Sequence, residues 1–326
     1  MSGPSPAGMA WVPAATFRMG SDVHYPEEGP AHPVTVSGFW IDRHEVTNRE
    51  FAAFVEDTGH VTVAERPLDP VDFPGAPPEN LVPGSLVFTR TPGPVDLRHV
   101  SQWWTWTPGA CWRHPEGPGS SLAGREDHPV VHVAFEDAAS YAARAGKALP
   151  TEAQWELAAR GGHDGAQFTW GDEQEPPGRP LANHWRGAFP SRPEPGCGAT
   201  AAVGSYEPNG YGLFDMAGNV WEWTADWYSS RHPDAAERPC CVPRNPGGGA
   251  ERESADPAQP QFPIPRKVIK GGSFLCADDY CLRYRPAARR PQMIDTGMSH
   301  IGLRCVVVDP RARSSASGDG GSAGRA

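Results

Sequence analysis

Long hydrophobic runs are absent from this sequence of 326 residues. None of its apolar stretches approaches the roughly 18 consecutive residues that a membrane-spanning helix needs. Residues 1–20 also lack the basic segment, apolar stretch and cleavage site of a secretory signal. We therefore expect a cytoplasmic protein that has no membrane partner. We also expect a monomer.

Positive charge is also in short supply. The chain has 29 Lys and Arg residues against 39 Asp and Glu residues, which gives a formal net charge of −10. Proteins that follow a phosphate backbone depend on clustered Lys and Arg, so this balance argues against a nucleic-acid partner. A neutral or cationic partner fits the composition better.

Cysteine is too sparse for a disulfide scaffold, since the chain has only 7 such residues. In a reducing compartment, isolated thiols indicate packing, metal binding or chemistry. These residues are therefore the first place to look for a function: Cys111, Cys197, Cys240, Cys241, Cys276, Cys281 and Cys305.

Glycine and proline are abundant, at 37 residues each, but 12 Trp and 12 Phe residues argue against a disordered chain. This composition is typical of a globular protein with many long loops that buried aromatic rings hold in place. We expect one catalytic domain over residues 9–309, preceded by a flexible segment 1–8. The Ser, Gly and Ala-rich tail 310–326 is predicted to be disordered.

Local patterns predict two strands and a helix near the start. Residues 9–21 are typical of a strand with a break, and residues 33–41 are rich in β-formers. A helix should begin after Thr47, which forms a capping box with Glu50, and end at Gly59.

Two more helices are predicted in the middle of the chain. One covers residues 135–145 and stops at Gly146, and the other is capped by Thr151 and Gln154. Residues 66–124 are expected to be irregular, turns should dominate after residue 165, and residues 247–265 should form a mobile loop.

A cysteine pair stands out near the C-terminal end, because Cys276 and Cys281 are separated by four residues in the segment KGGSFLCADDYCLRYRPAAR. On an α-helix this spacing turns the second thiol roughly 140° away from the first, and on a strand the two face opposite sides. The thiols can converge only on an irregular backbone, which Gly271 and Gly272 permit.

Four interpretations of this pair remain open on spacing alone. The cysteines could form a disulfide or be unrelated buried thiols. They could act as a thiol redox pair, although such pairs usually have two intervening residues. They could bind Cu(I), which soft thiolates select. Finally, they could belong to a zinc site with the four ligands Cys276, Cys281, His300 and Cys305.

The segment from Gly271 to Arg289 resembles the C-terminal signature of formylglycine-generating enzymes, the sulfatase-modifying factor family. Five further motifs match that family in the same order: HPVVHV at 128–133, GKALPTEAQWE at 146–156, NGYGL at 209–213, GNVWEW at 218–223 and IGLRC at 301–305. The resemblance covers roughly residues 9–309. It implies an α+β fold of the sulfatase-modifying-factor type, distantly C-type-lectin-like, with little regular secondary structure.

The resemblance also implies an activity. Family members convert the cysteine of a Cys-x-Pro-x-Arg motif in an unfolded or nascent sulfatase polypeptide to formylglycine, using O₂ and a thiol reductant. Cys276 and Cys281 would be the ligands of Cu⁺ in a copper-dependent oxidase. Two alternatives are a non-catalytic binding or scaffold protein of the same fold and a zinc-stabilised structural protein.

Further site residues follow from the resemblance by position. Ser273 and Tyr280 match residues whose hydroxyl groups line the pocket, Trp221 matches an indole at the pocket wall, and Arg283 matches a nearby basic residue. Ordinary loop hydrogen bonding for the hydroxyl groups, and core packing for Trp221, are the alternative interpretations.

Calcium is the second metal that the resemblance implies. Asp215 and Glu222 would supply carboxylate oxygens, and the intervening loop would supply the backbone carbonyl groups of Met216, Gly218 and Val220.

A further Ca²⁺ site would begin at Asn183 and His184, but the acidic ligand that the family has about a dozen positions later is expected to be missing from residues 192–198. Residues 67–100 and 290–296 also depart from the family, which leaves the peptide preference of the substrate groove open.

Overall fold

The computed structural model describes residues 6–71, 75–78, 81–176, 178–233 and 242–308. These residues contain the helices α1 (Asn48–Thr58), α2 (Phe135–Arg144) and α3 (Glu152–Arg160). They also contain the strands β1 (Met9–Val12), β2 (Ala15–Met19), β3 (His32–Val36), β4 (Phe39–Asp42), β5 (Gly84–Phe88), β6 (Trp104–Pro108), β7 (Gly187–Ala188), β8 (Arg192–Pro193), β9 (Trp221–Trp227), β10 (Arg266–Lys270), β11 (Arg289–Met293), β12 (Ile301–Gly302) and β13 (Val306–Val308).

Some of the sequence-based predictions lie outside the described residues. These are most of the predicted flexible segment 1–8, the tail 310–326, and the cysteines at 240 and 241.

The helix predictions are confirmed, because local signals define each helix end. Helix α1 begins after Thr47, whose side chain accepts a hydrogen bond from the Glu50 backbone, and ends at Gly59 with φ of 68°. Helix α3 has the same arrangement, with Thr151 at its start and Gly161 at its end. Helix α2 ends one residue earlier than predicted.

The strands near the start are confirmed in part. β1 and β2 are the two halves of the predicted interrupted strand. The prediction of one strand over 33–41 is wrong, because β3 pairs with β2 whereas β4 lies between β1 and β13 in another sheet. The chain changes sheet at Gly38, where a Cβ would lie 2.5 Å from the ring of Trp11.

The predicted irregular structure over 66–124 is wrong for two segments. β5 and β6 form an antiparallel pair in which Leu86 lies opposite Trp106 and Phe88 opposite Trp104. Cross-strand pairs of aromatic and aliphatic side chains stabilise such a ladder. Proline and glycine around the two strands hid this signal in the sequence.

A four-stranded sheet with the order β11-β10-β9-β12 supports the cysteine pair. β10 pairs antiparallel with both β9 and β11, and β12 joins β9 in parallel. The sequence analysis predicted none of these strands. The loop that carries Cys276 and Cys281 is the connection between β10 and β11, so its two ends leave neighbouring strands.

Buried aromatic side chains fill the space between the small sheets. Both Trp221 and Trp223 lie in the same apolar cluster as the two cysteines. The α+β class with little regular structure is thus confirmed. Within the part of the chain that the structure describes, no helix is long and apolar enough to cross a bilayer.

Candidate active site

Two glycines set the path of the chain into the cysteine loop. Gly271 and Gly272 have φ of 95° and 74°, in the left-handed region that favours glycine. A Cβ at Gly272 would lie 2.8 Å from the Cα of Tyr284 and 2.9 Å from the Arg283 carbonyl oxygen. Any larger residue would push apart the two sides of the loop.

Tight turns then bring the two cysteines together. The Cys276 amide donates to the Ser273 carbonyl at 2.9 Å, and the Cys281 amide donates to the Ala277 carbonyl at 2.6 Å. The Cys276 carbonyl accepts a hydrogen bond from the Trp185 amide at 2.8 Å, which ties the loop to a distant segment. The two Sγ atoms lie 3.5 Å apart.

The pair consists of two reduced thiols. Their 3.5 Å separation exceeds the roughly 2.05 Å of a disulfide bond. Cys276 is 2% exposed and Cys281 is 9% exposed, so Cys281 lies nearer the surface. A disulfide therefore does not describe this state of the pair, and the direct sulfur contact excludes two unrelated thiols.

The surroundings of the two sulfurs are electrostatically unequal. The hydrogen bond from Cys276 lowers the pKa of Cys281, and the positive charges of Arg283 and Arg290 lower it further. The Arg283 guanidinium lies 3.8 Å from the Cys281 Sγ atom. Burial raises the pKa of Cys276, and the contact with Cys281 adds to this effect. The surroundings therefore favour ionisation of Cys281 over that of Cys276.

Arg283 was selected by resemblance, whereas the sequence analysis singled out Arg290 only as part of a divergent stretch. Arg290 is exposed on β11. No local sequence pattern shows that its charge acts on Cys281.

The other predicted catalytic residues lie around the pair in different roles. The Ser273 side chain is fully buried, and its hydroxyl oxygen accepts a hydrogen bond from the Leu275 amide at 3.2 Å. This contact fits the alternative interpretation of Ser273 as a residue with ordinary hydrogen bonding within the loop. The Tyr280 ring stacks on Phe189 with centroids 4.5 Å apart. Trp221 is 1% exposed within the core cluster that contains both cysteines.

The four residues of the zinc hypothesis are not assembled into a site. The His300 ring packs against Trp104 with centroids 4.7 Å apart, and burial lowers its pKa. The Cys305 amide donates to Asp42, and burial raises the pKa of the Cys305 thiol. In the described ranges, no three His, Cys, Asp or Glu side chains are grouped so as to hold a metal ion.

A second polar centre lies at the start of β9 and in the loop before it, where the predicted calcium ligands are. Glu222 is fully buried, and both its oxygens accept hydrogen bonds from Arg304, at 2.7 and 2.8 Å. Asp215 is 6% exposed, and its Oδ1 atom has no hydrogen-bond partner among the described residues. Glu45, which the sequence analysis missed, is fully buried beside them.

The charge at this centre is unbalanced. Three buried carboxyl groups face the single guanidinium of Arg304. Burial raises the pKa of Glu45, and the neighbouring Asp215 raises it further. Burial is also the main cause of the raised pKa of Asp215. Hard oxygen ligands with excess negative charge fit a divalent cation such as Ca²⁺.

The backbone of this loop is strongly curved. Asp215 and Asn219 have φ of 56° and 54°, which is uncommon for residues other than glycine, and Gly218 has φ of 76°. Because the three carboxyl groups do not form a ready-made metal cluster, a cation here also needs carbonyl oxygens from the loop. Met216, Gly218 and Val220 are the predicted donors, and all three lie within the curved segment or beside it.

The second predicted calcium site has a different set of contacts. The Asn183 side chain donates to Asn219 and to the Ala199 carbonyl, each at 3.0 Å. The His184 Nε2 atom lies 2.9 Å from a Glu175 oxygen. The prediction that residues 192–198 lack an acidic residue is wrong, because Glu194 lies there, with its carboxylate 4.0 Å from Arg186.

A cavity of about 360 Å³ lies on another side of the cysteine loop. Its lining includes Phe274, Phe88, Ser299 and the exposed Arg90, but neither cysteine. The substrate groove that the resemblance implies therefore stays a prediction, because neither cysteine lines this cavity.

Comparisons with known proteins agree with this architecture. The formylglycine-generating enzyme of Mycobacterium tuberculosis is 52% identical over 302 residues, which cover 92% of this chain and 97% of that protein. A mouse relative named inactive C-alpha-formylglycine-generating enzyme 2 is 39% identical, covering 91% of this chain and 84% of its own length. The solved structure of PvdO from Pseudomonas aeruginosa matches the fold with a TM-score of 0.59 at 23% identity, over 91% and 93% of the two chains.

A family model matches residues 2–308, which is nearly the whole chain. This match and the 52% identical relative confirm the resemblance and the fold that the motifs indicated. The chain belongs to the family of the sulfatase-modifying factor enzyme 1-like domain.

Proposed function

We propose that this chain is a copper-dependent oxidase that converts the cysteine of a Cys-x-Pro-x-Arg motif in sulfatases to Cα-formylglycine. O₂ and a thiol reductant are the co-substrates. The observation that carries the proposal is the contact of two reduced, buried thiols at 3.5 Å, with a guanidinium beside one of them. The high identity to a named formylglycine-generating enzyme supports it.

The donor set of the cysteine pair fits a monovalent soft ion. Two thiolates select Cu(I), which is content with few ligands, and hard cations prefer oxygen. Cys276 and Cys281 would hold the ion, and the greater exposure of Cys281 leaves one side open to a third sulfur. Bound copper would supply the activation of O₂.

The residues around the pair bind, orient and exclude water. Arg283 stabilises the thiolate form of Cys281, which is the form that binds metal. Stacking of Tyr280 on Phe189 holds the phenol beside the thiols, where its hydroxyl group can donate to the substrate. Trp221 closes the apolar side of the site.

The overall conversion balances with O₂ as the four-electron acceptor. Two electrons come from the substrate CH₂–SH group, and two come from a pair of reductant thiols that become a disulfide. The products are the aldehyde, sulfide and one water molecule. The substrate must reach a nearly buried thiol, so an unfolded or nascent sulfatase segment is the expected partner, and its arginine suits the net charge of −10.

We also propose that the carboxylate centre binds Ca²⁺. Asp215, Glu222 and the carbonyl groups of Met216, Gly218 and Val220 would hold the ion, and Glu45 would add negative charge. The supporting observation is the excess of buried carboxyl groups over the single Arg304. Asn183 and His184 are weaker candidates for a further ion, because bonds within the protein engage Asn183 Nδ2 and His184 Nε2 and leave only Asn183 Oδ1 and His184 Nδ1 without a partner among the described residues.

A peptide assay tests the activity. The copper-loaded protein is incubated with a Cys-x-Pro-x-Arg peptide, O₂ and a thiol reductant. The mass of the peptide is then measured by mass spectrometry. Conversion of CH₂–SH to an aldehyde removes about 18 Da. Cys276→Ser and Cys281→Ser should each abolish both Cu(I) binding and conversion.

The matched control is Cys111→Ser, which alters a buried thiol outside the pair. This variant should bind one Cu(I) and convert the peptide at a rate close to that of the native protein. Native protein that binds Cu(I) through the pair but leaves the peptide unchanged would support the non-catalytic binding protein instead. Zinc that is retained tightly after copper reconstitution would support the zinc-stabilised alternative.

The remaining parts of the proposal concern the cellular compartment and the oligomeric state. The five described cysteines are all free thiols, which suits a reducing compartment such as the cytoplasm. We propose a monomer, because a single chain supplies both cysteines of the pair. Gel filtration with light scattering measures the mass directly.

A further inference from the structure

A short N-terminal segment packs against the loop that follows Cys281. The segment Tyr25–Glu28 includes a 3-10 turn over Pro26–Glu28, which the sequence analysis did not single out. More than 250 positions separate it from the loop, yet the two pieces of chain are joined by hydrogen bonds, ion pairs and guanidinium–ring contacts. A local sequence pattern cannot predict contacts between segments that are so far apart in the chain.

Three of these contacts involve the two residues directly after Cys281. The Leu282 amide donates a hydrogen bond to the Tyr25 hydroxyl oxygen at 3.1 Å. The Arg283 guanidinium lies over the Tyr25 ring, with its carbon 3.6 Å from the centroid. The Nη2 atom of Arg283 donates a hydrogen bond to the Glu27 carboxylate at 2.8 Å.

These restraints determine where the Arg283 charge lies. A free arginine side chain samples many rotamers, whereas stacking and a charge-assisted hydrogen bond select one. With one face of Arg283 on Tyr25 and Nη2 on Glu27, its Nη1 atom is left 3.8 Å from the Cys281 Sγ atom. The Arg283 and Glu27 side chains are only 22% and 19% exposed, so solvent weakens the ion pair less than at the surface.

The neighbouring Glu28 has a different role. It is fully buried and forms a bidentate ion pair with Arg285. This pair anchors the segment Tyr25–Glu28 to the loop that follows Cys281. Breaking such a pair would destabilise the whole fold. Glu28 is therefore unsuitable for testing an effect on the thiol, whereas Tyr25 and Glu27 are partly exposed and both contact Arg283.

We infer that Tyr25 and Glu27 are positioning residues for the metal-binding thiol: Tyr25 fixes the backbone after Cys281, and Glu27 aims Arg283 at its sulfur. This inference rests on the proposed function, since it gives the pair a role in holding Cu(I). Residues that orient a ligand from outside the coordination sphere commonly change metal affinity 10- to 100-fold when they are replaced.

The test compares Glu27→Gln and Tyr25→Phe with the native protein at one fixed pH. Tyr25→Phe keeps the ring under Arg283 and removes the acceptor of the Leu282 amide. Affinity for Cu(I) is measured by competition with a chelator of known affinity. We expect the dissociation constant to rise about ten-fold in Glu27→Gln and a few-fold in Tyr25→Phe. Peptide turnover should show a lower kcat with little change in KM.

Two further variants separate positioning from a merely structural role. Glu27→Asp keeps the charge, so its Cu(I) affinity should lie closer to the native value than that of Glu27→Gln. Glu136, in the first turn of helix α2, forms an exposed ion pair with Arg66. Glu136→Gln removes the same charge there and should leave the Cu(I) affinity unchanged and the melting temperature nearly so. An equal loss of affinity in Glu136→Gln would overturn the inference.

Cu(I) affinities of Glu27→Gln and Tyr25→Phe within two-fold of the native value would also overturn it, whether or not the melting temperature falls. That result would leave the proposed function intact, because the native protein would still bind Cu(I) and convert the peptide. Failure of the native protein to bind Cu(I) would instead refute the proposed function, and this inference with it.

Discussion

Replacement of Arg304 by leucine should strongly destabilise the protein. Arg304 is fully buried, donates to both oxygens of Glu222 at 2.7 and 2.8 Å, and also donates to the Phe214 carbonyl at 3.0 Å. Its guanidinium is the positive charge that faces the buried Glu45 and Asp215. Leucine fills part of the space but removes the guanidinium that faces all three carboxyl groups.

The magnitude follows from the two kinds of contact that are lost. Removing one partner of a buried ion pair costs about 3–5 kcal/mol, mainly because the other charge stays buried. The hydrogen bond to Phe214 adds roughly 1 kcal/mol. We therefore expect the free energy of unfolding to fall by about 4 kcal/mol or more, measured by urea unfolding with tryptophan fluorescence in the presence of EGTA.

Two comparisons make this prediction specific. Arg144→Leu breaks an exposed ion pair with Asp57 and should cost less than about 1 kcal/mol. The double variant Arg304→Leu/Glu222→Gln should be more stable than Arg304→Leu alone, because it removes a buried charge that has lost its partner. The reasoning fails if Arg304→Leu costs no more than Arg144→Leu, or if the second substitution destabilises the protein further.

Three other predictions concern stability. Calcium at 100 times its dissociation constant should raise the free energy of unfolding by about 2.7 kcal/mol. EGTA should reverse this gain, and Asp215→Asn should reduce it. A melting temperature that calcium leaves unchanged would contradict the proposed calcium site. Burial lowers the pKa of His132 and of His232 from 6.5 to about 4, so these rings stay neutral in the folded state while the unfolded chain takes up protons. Stability should therefore be complete above pH 6.5 and fall by about 3 kcal/mol per histidine as the pH drops to 4, whereas equal stability at pH 7 and pH 4.5 would refute this. Thr151→Ala should cost about 1 kcal/mol through loss of the α3 cap, and Thr151→Ser should restore most of it in urea titrations.

The parts of the fold that could be predicted are those that depend on neighbouring residues. The capping boxes at Thr47 and Thr151 and the left-handed glycines after α1 and α3 act within a few positions. Strand β9 was missed because all but two of its residues are buried, so it lacks the alternation of a half-buried strand. β10 was missed for the same reason, since its last four residues are buried.

The same distinction applies to the site. The spacing of Cys276 and Cys281 and the preceding glycines predict an irregular backbone between the two thiols. The structure has such a backbone there. The charged partners could not be derived in this way. Glu27 reaches Arg283 from 256 positions away, and Arg304 reaches Glu222 across 82 positions. Only the folded chain shows that these groups meet.

One buried carboxylate links the two ends of the cysteine loop to the rest of the fold. Glu152, the first residue of α3, accepts hydrogen bonds from Arg289 at 2.8 and 2.9 Å and lies 3.5 Å from the Lys270 ammonium. Lys270 ends β10 and Arg289 begins β11, so the loop leaves and rejoins the sheet at a single anchored point. Holding both ends together offsets part of the entropy cost of ordering a long, irregular loop. The two thiols can therefore meet within a segment that has no helix or strand of its own.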